Sequence, residues 1–237
     1  MLNTILFDLD GTLLSIDHKQ FGKIYFGGLS SHFTDMYPPE ELIRLILDAT
    51  EAMVADLSDK TNETVFMESL ETKVNERLGE MQGRFRLFYE KDFDQLRSAV
   101  VKNEIIIETI SILKSKGYQL VIATNPMFPK IAIEKRINWT GLNRSDFSYV
   151  TSFEANHFCK PQKEFFIEIL KDINKSPEEC LMVGNDAQED MAAKLFNIET
   201  YLITDYLIHR HDGPLVADNT GTFLDFLKFV KALPSLV

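Results

Sequence analysis

The first residues of the chain form an apolar run that ends in two carboxylates, and this feature limits the possible folds most. Residues 5–7 are Ile, Leu and Phe, and Asp8, Asp10 and Gly11 follow within four positions. A continuous apolar run is typical of a strand buried in a parallel sheet, and glycine permits the bend that leaves it. Alternation along an extended backbone places Asp8 and Asp10 on one side, where they can share a divalent cation. A surface Asp-Gly turn is the alternative interpretation.

Two later segments also place polar residues after an apolar strand or before a helix. The run 118–123 ends in Thr124 and Asn125, which can donate to an anionic oxygen without adding charge. Lys160 precedes a helix-like run over 163–173, and a lysine here would neutralise repulsion between carboxylates and phosphate. Each signal is weak alone, because Thr-Asn pairs are common in turns and most lysines are solvated.

A fourth segment repeats the pattern with acidic residues. The apolar run 181–183 leads through a glycine to Asn185 and Asp186, and Asp190 lies four positions further on. The spacing of Asp186 and Asp190 puts both on one side of a first helical turn, although acids also stabilise helix N-termini in general. All four segments lie at predicted strand ends, where open α/β sheets bind ligands.

Taken in order, the four segments resemble the motifs of the haloacid dehalogenase-like hydrolases, most of which are Mg²⁺-dependent phosphatases. The resemblance starts with Asp-Leu-Asp-Gly-Thr over residues 8–12. It implies that Asp8 attacks phosphorus and becomes an aspartyl-phosphate, and that Asp10 protonates the leaving oxygen and later activates water. It also implies that Thr124 and Lys160 steady the transferring group, and we expect Asn125 to bind substrate with them.

The resemblance further implies Mg²⁺ as the cofactor. We expect Asp8, the backbone carbonyl of Asp10 and Asp186 to be its ligands, with Asp190 supporting the site from behind. The fourth motif departs from the family pattern, because Asn185 stands directly after the glycine where an aspartate is usual. Asp186 is the better ligand since a carboxylate binds Mg²⁺ more strongly than an amide oxygen. The register between Asn185 and Asp186 stays open in the sequence.

The periodicity predicts an α/β fold, a Rossmann-like and mainly parallel sheet flanked by helices, with an inserted α-helical cap. Helical patterning without a clear strand covers about residues 15–95, including a run that ends at Gly79, whereas helices and strands alternate from about residue 103. We assign 1–14 and 97–237 to the core and 15–96 to the cap. The predicted core strands after the first are 119–124, 147–151, 180–183 and 199–203. The predicted core helices are 105–116, 163–173 and 223–232, with two more starting near 129 and 189.

A cap over the site is expected to exclude water and select the substrate. Its candidate contacts are basic residues in an otherwise acidic chain, although a solvated helix face is the more common role of each. These are Lys73, Arg77, Arg84, Arg86 and Lys91. Two further clusters look like metal or pocket groups, His209-His211-Asp212 and His157-Cys159. We interpret the first as solvent-exposed and the second as local loop chemistry.

Composition excludes some partners. The formal net charge of -11 argues against a nucleic-acid backbone or an anionic membrane as partner. The sequence shows no signal-like start and no apolar run near 18 residues, and its two cysteines suit a reducing compartment, so we expect a cytoplasmic protein.

The predicted function is hydrolysis of a small phosphorylated metabolite. A phosphomutase or dehalogenase of the same fold and a non-catalytic binding module are the alternatives. Asp10 argues against the dehalogenase, because that reaction releases no oxygen that needs a proton.

Overall fold

Eight strands and eight α-helices make up the fold, and the computed structural model describes every residue, 1–237. The strands are β1 (Thr4–Phe7), β2 (Ser15–Ile16), β3 (Val100–Val101), β4 (Gln119–Ile122), β5 (Tyr149–Val150), β6 (Cys180–Gly184), β7 (Glu199–Ile203) and β8 (Asn219–Gly221). The helices are α1 (His18–Ser31), α2 (Pro39–Ala55), α3 (Asn62–Val74), α4 (Leu78–Leu87), α5 (Glu104–Ser115), α6 (Lys130–Thr140), α7 (Lys163–Asp172) and α8 (Phe223–Ala232).

Six strands form one sheet in which every neighbouring pair is parallel, in the order β5-β4-β1-β6-β7-β8. The central strand β1 pairs with β4 and β6, and Leu6 is in register with Val121 on one side and Met182 on the other. The chain builds the sheet outward from β1 first in one direction and then in the other. The strand order therefore reverses beside β1, which is where open α/β sheets bind ligands. The predicted Rossmann-like fold is confirmed.

Helices cover both faces of the sheet, so the strands are apolar on both sides. Ile5 and Phe7 point into the larger core, which also contains residues of α5, α6 and α8. Leu6 points to the opposite face and packs with Phe165 and Ile169 of α7. This alternation follows from the two-residue period of a strand. Each fully buried residue of this size contributes roughly 1.5–3 kcal/mol to folding.

The inserted helical cap predicted from the sequence is also present. Helices α1 to α4 lie between β2 and β3, and these two short strands pair antiparallel, Ser15 with Val101 and Ile16 with Val100. The chain therefore leaves and re-enters the core through one paired ribbon. Cap and core side chains belong to a single apolar cluster. The proposed bounds 15–96 stay a prediction.

One strand was missed, and two local predictions are wrong. β8 was not expected, because three polar or small residues carry no strand periodicity and owe their conformation to pairing with β7. Gly79 does not end a helix: α3 already ends at Val74, Asn75 adopts a left-handed φ of 51°, and Gly79 lies inside α4. The helix expected from residue 189 is only a short 3-10 segment, Met191–Phe196.

Two general features of the chain complete the description. None of its helices combines the length and apolar character needed to cross a membrane. Cys159 and Cys180 are buried free thiols, as the sequence suggested, and burial raises the pKa of each to about 12.

Candidate active site

A buried lysine joins two carboxylates at the carboxyl end of the sheet. Lys160 precedes α7, Asp8 directly follows β1, and Asp190 lies beyond the end of β6. The Lys160 Nζ donates to Asp8 Oδ1 at 2.9 Å and to Asp190 Oδ1 at 2.6 Å. The lysine side chain is 1% exposed, so the pairs are shielded from water. The fold thus brings together three predicted site residues that are far apart in the chain.

The charges of these groups depend on one another. Burial raises the pKa of Asp8, and the Lys160 ammonium opposes the rise. Burial also raises the pKa of Asp190 to about 7, with Lys160 lowering it and the Asp8 charge raising it further. For Lys160, burial lowers the pKa, but the charges and hydrogen bonds of Asp190 and Asp8 outweigh that effect, so its pKa lies above the usual value. The lysine therefore stays cationic and stabilises both carboxylates.

Asp190 also supports the backbone of the fourth motif. Its Oδ2 accepts a hydrogen bond from the backbone N–H of Asp186 at 2.9 Å. A Cβ at Gly184 would lie 2.1 Å from this same oxygen, so only glycine permits the close approach. Asp190 therefore contacts both the Lys160 ammonium and the Asp186 backbone; its supporting role at a metal site stays a prediction.

Asp10 has a partner that the sequence reasoning missed. Arg136 of α6 is 1% exposed, and its Nη1 pairs with Asp10 Oδ2. The guanidinium lies 4.4 Å from the centroid of the Phe128 ring, and its Nε donates to the Ala132 carbonyl at 3.3 Å. The available signal was an arginine among buried apolar positions of α6, such as Ile133, where a charge needs a partner.

The Asp10–Arg136 pair does not use all of its hydrogen-bonding atoms. Asp10 Oδ1 and Arg136 Nη2 are both buried without a hydrogen-bond partner in the protein. Buried polar atoms are normally paired, and exceptions concentrate at functional sites. The pair is therefore placed to accept and donate further hydrogen bonds beside Asp8.

The second motif lies beside the lysine, but its amide is already engaged. Thr124 is 4% exposed, and its carbonyl accepts a hydrogen bond from Thr151 Oγ1 at 2.6 Å. Asn125 Oδ1 accepts from the Lys160 backbone N–H at 3.1 Å, and its Nδ2 donates to Glu189 Oε2 at 3.1 Å. In this arrangement Asn125 links the second, third and fourth motifs to one another.

The structure separates the two candidates for the fourth-motif ligand. Asn185 Oδ1 accepts from Thr12 Oγ1 at 3.0 Å, and its Nδ2 donates to the Tyr206 carbonyl at 2.7 Å. Gly11 has a φ of +87°, and a Cβ added at this residue would lie 2.3 Å from the Asn185 side chain. Asn185 thus links the bend after β1 to the segment that follows β7.

A second arginine that the sequence analysis missed, Arg210, pairs with Asp186. Arg210 Nη1 lies 2.6 Å from Asp186 Oδ2, and its Nη2 lies 3.3 Å from Glu189 Oε1. Asp186 Oδ1 accepts from the backbone N–H groups of Gln188 and Glu189, both at 2.9 Å. Arg210 stands between the two loop histidines that the sequence analysis considered, and both of those side chains are exposed.

The donor set suits a divalent cation that prefers oxygen. No group of three or more His, Cys, Asp or Glu side chains gathers as a metal cluster. The expected ligands need only two side chains, Asp8 and Asp186, since the third is the Asp10 carbonyl. The carboxylates at the site outnumber the cations beside them, five to three. These are Asp8, Asp10, Asp186, Glu189 and Asp190 against Arg136, Lys160 and Arg210. A bound Mg²⁺ would offset this excess of negative charge.

The basic cap residues mostly serve the cap itself. Lys73 and Arg84 pair with carboxylates within the cap, and Arg77 lies over the Tyr37 ring at 5.6 Å. Of the five candidates, Arg86 alone lines the large cavity between cap and core.

The buried Asp10–Arg136 pair leads to a stability prediction. Arg136→Met leaves Asp10 without its cation, so we expect the free energy of unfolding to fall by about 3 kcal/mol. Combining it with Asp10→Asn removes both charges and should recover much of that loss. Urea unfolding followed by circular dichroism measures both variants.

The neighbouring residue offers a matched control. Lys135 pairs with Asp94, which is 58% exposed, so Lys135→Met should cost less than about 1 kcal/mol. Equal losses at positions 135 and 136 would contradict a special role for the buried pair.

A family model and curated relatives agree with the motifs. The model for haloacid dehalogenase-like hydrolases matches residues 2–195. The pyrophosphatase PpaX of Anoxybacillus flavithermus is 26% identical over 193 residues, which cover 81% of this chain and 79% of that protein. PpaX of Bacillus cereus strain Q1 is 27% identical over 185 residues, covering 78% of this chain and 75% of that protein.

Solved structures share the fold along nearly the whole chain. A predicted phosphoglycolate phosphatase from Haemophilus somnus aligns with a TM-score of 0.61 and 18% identity, covering 96% of this chain and 97% of that one. YfnB from Bacillus subtilis, described as bound to magnesium, has a TM-score of 0.59 and 19% identity, covering 98% and 99%. The L-2-haloacid dehalogenase of Xanthobacter autotrophicus has a TM-score of 0.57 and 15% identity, covering 98% and 100%. The chain belongs to the haloacid dehalogenase-like hydrolases, as its four motifs indicated.

Proposed function

We propose that this protein is a Mg²⁺-dependent phosphatase that hydrolyses a small phosphorylated metabolite through an aspartyl-phosphate. The observation that carries the proposal is the buried Lys160, which contacts both Asp8 and Asp190 at the reversal point of the sheet. The names of the relatives, pyrophosphatase and phosphoglycolate phosphatase, support phosphate ester or anhydride substrates. A cytoplasmic location stays a prediction.

Asp8 is the proposed nucleophile. Its carboxylate lies at the end of β1 with one oxygen on the Lys160 ammonium, so the attacking group is held in place. The Asp8 oxygen bonds to phosphorus while the bond to the leaving oxygen breaks. Water then attacks the phosphorus of the aspartyl-phosphate, which releases inorganic phosphate and regenerates the carboxylate.

Asp10 is the proposed acid and base. It gives a proton to the leaving oxygen in the first step and takes one from water in the second. Arg136 holds one of its oxygens, and the other has no partner in the protein. That second oxygen is the one available to the leaving group or to water.

The remaining residues bind and neutralise the phosphoryl group. Lys160 and the Thr124 hydroxyl are the proposed donors to its oxygens. Asn125 is a proposed substrate contact as well, and it also positions the Lys160 backbone through its hydrogen bond. When bound by Asp8, the Asp10 carbonyl and Asp186, Mg²⁺ supplies positive charge that offsets repulsion between carboxylate and phosphate.

Two of the alternatives have less support. A dehalogenase shares the fold. In this chain, however, the buried Arg136 pairs with the Asp10 carboxylate, and dehalogenation does not require a carboxylate at that position. A binding module without turnover has no need of a lysine shielded from solvent between two carboxylates.

Replacing the nucleophile tests the proposal directly. Asp8→Asn keeps the shape of the side chain and removes the attacking oxygen anion, so we expect phosphate release from an aryl phosphate to fall by roughly a thousandfold or more. Phosphate release with and without Mg²⁺ is the measurement. Undiminished activity in highly purified Asp8→Asn would exclude the covalent aspartate.

The acid role of Asp10 predicts a dependence on the leaving group. Asp10→Asn should lose most activity on alkyl phosphates, whose leaving oxygen needs a proton, and less on an activated aryl phosphate. The ratio of kcat/KM for the two substrates, compared between parent and variant, is the readout. A ratio that does not change would argue against proton transfer by Asp10.

The fourth-motif register can be tested by Mg²⁺ titration. Asp186→Ala should sharply raise the Mg²⁺ concentration for half activity and weaken the Mg²⁺-dependent rise in Tm. Asn185→Ala should change both much less, because its side chain bonds to Thr12 and Tyr206 instead. The reverse order of effects would assign the metal to Asn185.

A further inference from the structure

A cavity between the cap and the core has no assigned ligand. Its volume is about 560 Å³, within the range of small-molecule sites. Helices α1 to α4 and the π-helical segment Phe88–Asp92 supply one wall. The loops after β4 and β5 and the start of α6 supply the other. These two loops also carry Thr124 and lead to Lys160, so cavity and catalytic residues share the same strand ends.

A continuous set of packed side chains leads from the cavity to the proposed acid, Asp10. Tyr25 lines it, and the Tyr25 ring lies 5.4 Å from the ring of Phe128. Arg136 lies over the same Phe128 ring at 4.4 Å and pairs with Asp10. The hydroxyl groups of Tyr25 and Tyr89 form a hydrogen bond of 2.8 Å, and Tyr89 also lines the cavity.

Most of the lining is apolar, and much of it is aromatic. Nine of its sixteen residues are hydrophobic. The side chains Phe66 and Phe153 lie against each other with ring centroids 5.6 Å apart, one from the cap and one from the core. Burial of an aromatic ring between such groups is favourable, and offset or edge-to-face contacts add to it.

The polar part of the lining is acidic. Glu63, Glu90 and Glu154 line the cavity, and no lysine or arginine forms an ion pair with their carboxylates. The nearby Lys135 ammonium pairs with Asp94 instead. The pKa of Glu63 is raised by burial and by the charge of Glu154, which shows that these two carboxylates repel each other. Arg86 is the only lysine or arginine in the lining, and it is exposed.

We propose that this cavity holds the leaving group of the substrate, and that the leaving group is apolar, about the size of one aromatic ring, and not anionic. The inference rests on the proposed phosphatase activity. It sets this chain apart from enzymes whose leaving group is itself a phosphate or carries a carboxylate. An anionic leaving group would face the half-buried Glu63 and the exposed Glu90 and Glu154, against the exposed Arg86 alone. It would also lose part of the hydration that water provides.

Three aryl phosphates of matched size test the charge preference. They are 4-ethylphenyl phosphate, tyramine O-phosphate and 4-(phosphonooxy)phenylacetate, whose leaving groups are neutral, cationic and anionic. With Mg²⁺ present, kcat/KM for the neutral and cationic esters should exceed that for the anionic ester about tenfold, mainly through KM, which corresponds to about 1.4 kcal/mol. Inorganic pyrophosphate should also be a poor substrate.

Variants then assign the preference to the cavity. Glu63→Gln and Glu154→Gln should each raise the ratio of kcat/KM for the anionic ester to kcat/KM for the neutral ester severalfold. Glu71→Gln is the matched control, because Glu71 is exposed on the same helix as Glu63 and does not line the cavity. Phe66→Ala should raise KM for all three aryl esters but not for methyl phosphate.

The outcomes separate the inference from the proposed function. Phosphate release from none of the esters would overturn both. Release from all three with equal kcat/KM, unaltered by Glu63→Gln and Glu154→Gln, would overturn the cavity assignment and leave the phosphatase in place. Preference for the anionic ester, lost in Arg86→Gln, would also overturn it and assign selection to the arginine.

Discussion

The burial of Lys160 between Asp8 and Asp190 is the interaction on which the rest of the site depends. Two buried carboxylates repel each other and are poorly solvated, and a single shielded ammonium offsets both effects. Lys160 and Asp8 lie 152 residues apart in the chain, and the fourth motif comes from a third segment. Glycine at position 184 is required because Asp190 occupies the space of a Cβ. The buried charge pairs therefore lie beside β1, where the strand order of the sheet reverses.

A second buried pair connects this chemistry to the cap. Arg136 holds Asp10 and stacks on Phe128, and Phe128 in turn packs against Tyr25 of the cap helix α1. The proposed site of proton transfer and the wall of the cavity thus share a contiguous set of side chains. In our proposal the core supplies the groups for phosphoryl transfer, and the cavity, which both cap and core line, selects what is attached to the phosphate.

The fold was predictable where local patterns carry it. Apolar runs with a two-residue or 3.6-residue period identified the buried strands and most core helices, and β7 and α8 have the expected bounds. The errors fall where tertiary contacts override local preference. β8 owes its conformation to its neighbour in the sheet, and the end of α3 is decided by Asn75 in a left-handed conformation and not by Gly79.

By itself the sequence determined the family and the candidates Asp8, Asp10 and Lys160, because strand ends and their polar residues are local features that a linear pattern records. Only the tertiary structure decided what those groups contact. Arg136 and Arg210 belong to no motif, and their partners lie 126 and 24 residues away in the chain. The cavity was equally inaccessible to sequence reasoning, since its lining comes from distant helices and loops. Charge pairing and enclosed volume depend on distances in space, which a one-dimensional pattern does not contain.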